Sequence, residues 1–188
     1  MQNSELHLME PHVLESLRFP IGKFSKPENI TKDQLADCIS RVESFPVRLK
    51  KEVVHLNDSQ LDTPYRPDGW TVRQVIHHCA DSHMNAIVRF KLTLTENGTT
   101  IKPYKENLFA ELSDYKLPID SALQILDGVQ FRLGVLIRNM KPEEFSNYYV
   151  HPEYGTNYRL DQAVMLYAWH GDHHLAHITS LKSRNDWK

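Results

Sequence analysis

Cysteine is nearly absent. The 188 residues hold two, Cys38 and Cys79, far apart and neither in a CxxC pair. That excludes a disulfide framework, and a chain of this length can bury a core without one. Both thiols are expected as small core residues in a reducing, cytoplasmic setting. An excess of one charge is also missing. The formal net charge is −2, which supplies no positive field for nucleic acid or an anionic membrane surface. No apolar run approaches a membrane span. The segment Met1-Gln-Asn-Ser-Glu-Leu-His7 has neither a basic region nor an apolar core, so no signal peptide is expected. There is no internal repeat or low-complexity stretch, and period-2 alternation never persists. With 40% hydrophobic and 24% charged residues, the composition is that of an ordinary globular domain.

Histidine is in excess, with eleven residues. His77, His78 and His83 fill one short window; His170, His173, His174 and His177 fill another. Both windows fall in helical patterns. Residues 1–30 read as an irregular arm with one short turn near 13–18. Thr31-Lys-Asp-Gln34 is a capping box, followed by an apolar stripe through Leu35, Ile39, Val42, Leu49 and Val53. Pro46 lies inside that stripe and is expected to kink or split the helix. A second box, Thr71-Val-Arg-Gln74, opens a helix ending near Thr95 and Asn97-Gly98. The long connection 99–118 has room for a short helix near 107–112. Asp120 is placed to cap a third helix with Leu123, Leu126, Leu133 and Ile137 on one face. The last helix spans about 160–183. Four amphipathic helices predict an all-α four-helix bundle over residues 31–188, with long loops and the irregular N-terminal arm packed on it.

On the last helix, at about 100° per residue, His174 falls about 40° from His170 and His177 about −20° from it. All three therefore share the apolar stripe, with His173 on its flank. Burying an imidazole without a partner costs roughly 1–3 kcal/mol. Two solutions are open: hydrogen bonds to carboxylates or backbone, or a metal ion. Histidines at i and i+4 stack one turn apart and can close on a single ion, which needs further ligands from elsewhere. On the second helix, His78 lies on a polar stripe with Ser82, Asn85 and Arg89, whereas the apolar stripe contains His83. Periodicity thus leans toward His83 as the inward histidine, with His77 turned to solvent.

Several segments are similar to a known family. They are Leu17-Arg-Phe-Pro-Ile-Gly-Lys-Phe24, the run from Pro64 through Trp70 and His78 to Asn85, Arg89-Phe-Lys-Leu92, Ile101-Lys-Pro-Tyr104, His151-Pro-Glu153 and Tyr167-Ala-Trp-His-Gly-Asp-His-His-Leu-Ala-His-Ile178. Together they resemble the DinB superfamily, and most closely its YfiT-like branch, over nearly the whole chain. The resemblance implies a four-helix bundle holding one divalent metal, zinc or nickel, on His78, His170 and His174. It moves the ligand from His83 to His78 and leaves His83 and His177 beside the site.

It further implies a metal-dependent hydrolase using metal-activated water on a small-molecule substrate. One alternative is a thiol S-transferase acting with bacillithiol or another low-molecular-weight thiol. The other is a non-catalytic metal-binding, stress-response scaffold. Arg66, Arg89 and Tyr104 are candidate substrate-binding residues; Asp81, Glu153 and Asp172 are candidate acid–base groups. Relatives of this kind imply a homodimer.

Overall fold

The computed structural model describes residues 10–153 and 155–187. The first nine residues of the expected arm lie outside that range. Four long helices form the body: α2 (Lys32–Val53), α4 (Val72–Thr95), α6 (Asp120–Arg138) and α7 (Leu160–Arg184). Three short ones, α1 (Pro11–Arg18), α3 (Asp58–Leu61) and α5 (Glu106–Phe109), sit in the arm and connections. Among the described residues no helix is long and apolar enough to cross a membrane.

Both expected capping boxes form. Gln34 N donates to Thr31 Oγ1, and Gln34 Oε1 accepts from Thr31 N; Thr71 and Gln74 repeat the pattern. Asp120 is not the cap of α6. It is the first helical residue, after Ile119, where its carboxylate meets the positive end of the helix dipole.

Pro46 does not split α2, which continues through it. A proline here removes the N–H that would donate to the carbonyl four residues back, that of Val42. That carbonyl finds a replacement across the bundle. Gln130 of α6, fully buried, donates its Nε2 to Val42 O at 3.1 Å. A side chain on a neighbouring helix thus fills the gap in the ladder.

The helices do not pack in sequence order. α2 packs on α6 and α7, and α4 packs on the same two. Consecutive helices α2 and α4 therefore lie across the bundle from each other, as do α6 and α7. This arrangement explains the long connections, which must cross an end of the bundle instead of making a tight turn. It also sets α4 against α7, the two helices that carry the histidine windows.

The core has two parts. Phe45, Leu49, Val75, Ile76, Leu126 and Ile178 belong to one; Phe90, Leu133, Ile137, Tyr149, Leu160 and Val164 belong to the other. Cys38 and Cys79 are buried free thiols, as expected.

One feature the sequence did not suggest is a small antiparallel hairpin, β1 (Tyr148–His151) with β2 (Thr156–Arg159), His151 pairing with Thr156. At four residues each, the strands are too short to display a period. The stretch leaving α4 runs alongside β1: Val150 N donates to Thr99 O at 2.9 Å and Ile101 N to Val150 O at 3.1 Å. That pairing anchors the 102–109 segment at the side of the bundle. The arm closes part of α7: Phe19 lies against His173 and Phe24 against Trp169, with ring centroids 5.9 and 5.7 Å apart.

Candidate metal centre

His78 on α4 and His170 and His174 on α7 converge. Each offers a ring nitrogen, and these atoms lie within 4.8 Å of one another. His78 Nε2 and His170 Nε2 face each other at 3.1 Å. Two imidazole nitrogens make that contact attractive only by sharing a proton or a cation. Ligands at about 2.0–2.1 Å from one ion stand roughly 2.9–3.4 Å apart at octahedral or tetrahedral angles. The separation of His78 and His170 thus fits two ligands of a single divalent ion, with His174 close by.

The electrostatics favour the ligand form of each ring. Burial, and after it charge on His83 and His173, pushes the pKa of His78 down to about 3. His170 and His174 are lowered well below the usual histidine range, first by burial and then by neighbouring histidines. All three rings are therefore neutral near pH 7, with lone pairs available to a metal. Trp70, at the end of the connection into α4, covers the cluster; its ring centroid is 4.6 Å from that of His78 and 6.4 Å from that of His174.

The other histidines have separate surroundings. His83 is fully buried and stacks on Phe45 at 5.2 Å. Its Nε2 lies 3.4 Å from His170 Nδ1, and its Nδ1 is buried without a hydrogen-bond partner among the described residues. A His170 that presents Nε2 to the cluster carries its proton on Nδ1, facing His83. His177 Nε2 donates to Arg18 O at 3.1 Å, and its ring stacks on Tyr65 at 3.9 Å. His77 does not face solvent. It is buried beneath the turn Ser113–Lys116, with Nε2 donating to Leu117 O at 3.2 Å and its ring 5.6 Å from that of Tyr115. No local signal in the sequence marks this turn, which folds back over α4.

A cavity of about 770 Å³ opens beside the cluster, lined by His170, Ser82, Arg89, Tyr104, Tyr167 and Glu153 among others. Of the candidate residues, Arg89, Tyr104 and Glu153 thus share one space with His170. Arg89 Nη1 donates to Tyr167 Oη at 3.0 Å. Burial raises the Tyr104 hydroxyl above its ordinary value.

Three candidates lie elsewhere. Arg66 folds onto its own loop, donating to Pro67 O at 2.8 Å and to Tyr65 Oη at 3.3 Å. Asp172 is held by two arginines of α2: Arg41, whose Nε donates to Oδ2 at 2.7 Å, and Arg48, whose Nη1 is 2.7 Å from Oδ1. Asp81 accepts a 2.6 Å hydrogen bond from Tyr115 Oη.

The sequence reading missed Gln130, Tyr167 and Glu106, another residue lining the cavity. A signal existed for Gln130: it is the lone polar residue in the stripe Leu123, Leu126, Leu133 and Ile137.

Fold and cluster together define a helical-bundle protein with a metal-type histidine site between two of its helices. The chain belongs to the DinB superfamily, whose sequence model matches residues 42–178. It is 49% identical over 174 residues to a Bacillus cereus protein (strain ATCC 14579) named "Putative metal-dependent hydrolase", covering 93% of this chain and all of the relative. A protein of the same name from Bacillus cereus strain 03BB102 is 48% identical over the same span. Among solved structures it resembles YfiT from Bacillus subtilis, described as a probable metal-dependent hydrolase with an unusual four-helix bundle topology. The TM-score is 0.90 at 44% identity, covering 92% of this chain and 99% of that one.

Proposed function

We propose that this protein is a divalent-metal-dependent hydrolase whose ion is held by His78, His170 and His174. The observation that carries the reading is the convergence of three neutral ring nitrogens within 4.8 Å, with His170 also bordering the cavity. Three protein ligands leave coordination positions open, the mark of a catalytic site. Zinc and nickel suit an all-imidazole donor set. When bound, such an ion supplies Lewis acidity, which polarises a carbonyl and acidifies water. The protein's own residues do the rest. Trp70 shields the cluster from bulk water, and His83 orients His170 through its Nδ1. Arg89 and Tyr104 position the substrate, and Glu153 is the candidate to move a proton.

The test begins with metal analysis of the purified chain. His170→Ala and His174→Ala should each lose the ion, whereas His173→Ala, whose ring stacks on Trp169 at 4.5 Å, should keep it. Metal retained in either ligand variant refutes the assignment. The loaded protein is then offered ester and amide substrates with and without a low-molecular-weight thiol. Turnover without thiol supports the hydrolase; turnover only with thiol replaces it with the S-transferase. Inertness toward all of them leaves a metal-binding scaffold.

A further inference from the structure

Several arginines of this protein are neutralised by carboxylates. Arg41, Arg48, Arg73, Arg138 and Arg159 each pair with one or more carboxylates. Arg89 does not. It is half-buried, and among the described residues no carboxylate pairs with it. Its identified hydrogen-bond partner is a neutral hydroxyl, Tyr167 Oη, and its Nε is buried without any partner. Taking a guanidinium partly out of water costs several kcal/mol unless an anion offsets it. Arg41, Arg48 and Arg73 find such an anion on a neighbouring helix; Arg89 faces a cavity instead.

The rest of the cavity sharpens the contrast. The cavity wall around Arg89 carries tyrosine hydroxyls, those of Tyr104, Tyr149 and Tyr167 among them. Neutral near pH 7, they offer polarity without a counter-charge. The carboxylates bordering the cavity, Glu106 and Glu153, repel each other's charge, and neither forms a salt bridge with Arg89. The guanidinium thus has no carboxylate bridge among the described residues, and Tyr167 links it to the metal-type cluster. Tyr167 Oη is 3.0 Å from Arg89 Nη1, and its ring is 6.5 Å from that of His170. Those two steps keep the distance from guanidinium to cluster within the length of one small molecule.

We infer that Arg89 is the anchor for an oxyanion on the substrate, so that the molecules acted on are small anions, carboxylates foremost, with the reacting group seated at His170. This rests on the hydrolase reading for the second half of the statement; the anion site itself does not need it. A planar guanidinium bordering the cavity matches a carboxylate's two oxygens. The anion would replace the missing structural counter-charge, coupling recognition to the relief of a buried cation.

The test uses the full chain with two matched probes. 4-Nitrobenzoate and neutral 4-nitrobenzamide are titrated calorimetrically into the metal-loaded protein, and into the chelated protein to remove binding of carboxylate to metal. The benzoate should bind more tightly in both. Arg89→Met should lower its affinity by about ten- to a hundredfold and leave the amide unchanged. Arg89→Lys should retain part of the preference, and Lys105→Met, at the same cavity, all of it. Circular dichroism melts establish that each variant is folded. Equal affinity for the two probes, no binding of the benzoate, or an unchanged preference in Arg89→Met overturns the proposal. In parallel, the monosuccinate ester of 4-nitrophenol is compared with the butyrate ester. A preference for the charged ester, expressed mainly in KM and lost in Arg89→Met, is expected. If neither ester nor the matching amides are cleaved, the hydrolase reading fails, while the binding arm still decides the anion site.

Discussion

Gln130 and Pro46 should be energetically coupled although they lie on different helices. Pro46 leaves the carbonyl of Val42 without its intrahelical donor, and Gln130 Nε2 supplies one at 3.1 Å. Replacing Gln130 by leucine keeps most of the volume and removes the donor. The carbonyl is then buried and unsatisfied, a cost of about 1–3 kcal/mol. For 188 residues, an unfolding entropy of about 2.1 cal/mol/K per residue converts this to a loss of roughly 3–8 °C in Tm. In a Pro46→Ala background the restored N–H of residue 46 reaches the same carbonyl, which has two lone pairs. Gln130→Leu should then cost about 1–2 kcal/mol less. Urea denaturation of the four proteins, followed by far-UV circular dichroism, closes the cycle. A cost equal in both backgrounds to within about 0.5 kcal/mol shows the two positions to be independent, and the account of how α2 tolerates its proline is then wrong.

Two further outcomes are expected. With metal removed by a chelator, stability should fall on acidification. The fold holds His78 and His83 neutral, with pKa pushed down to about 3 and about 4 by burial, while the unfolded chain takes up protons below about 6.5. Stability is therefore full above that value. It declines by about 1.4 kcal/mol per pH unit per histidine down to the folded pKa; denaturant midpoints that stay level from pH 8 to pH 5 contradict this. Asp172→Asn should lower stability by about 1–2 kcal/mol, since it weakens a partly exposed bridge to Arg41 and Arg48. Metal content should not change; metal lost at unchanged Tm would return Asp172 to the site.

Local signals were the most readable part of the sequence. Thr31 and Thr71 with their glutamines marked two helix starts to the residue, because a capping box is a contact between near neighbours. The stripe on the last helix brought His170, His174 and His177 to one face. What failed was anything set by packing between distant segments. Angular position leans toward His83 over His78, but α4 is covered on several sides, by α6, α7 and the turn at 113–116, so both are buried. His77 was misjudged for the same reason. Family resemblance, not periodicity, pointed to His78. Asp172 looked like a candidate because its two arginines are over a hundred positions away in sequence.

The crossed order of the helices has a consequence for assembly. α2 and α4 have no extensive contact with each other; both depend on α6 and α7. During synthesis from the N-terminus, α7 emerges last, and until it docks, α2 and α4 have only α6 in common. The two parts of the histidine cluster are separated by more than ninety positions, so they meet only at that final step. Long-range closure of this kind is slow and comes late in folding. Capture of an ion by His78, His170 and His174 would therefore act as a latch on a nearly finished bundle, and a chain that cannot seat its last helix would hold no metal at all.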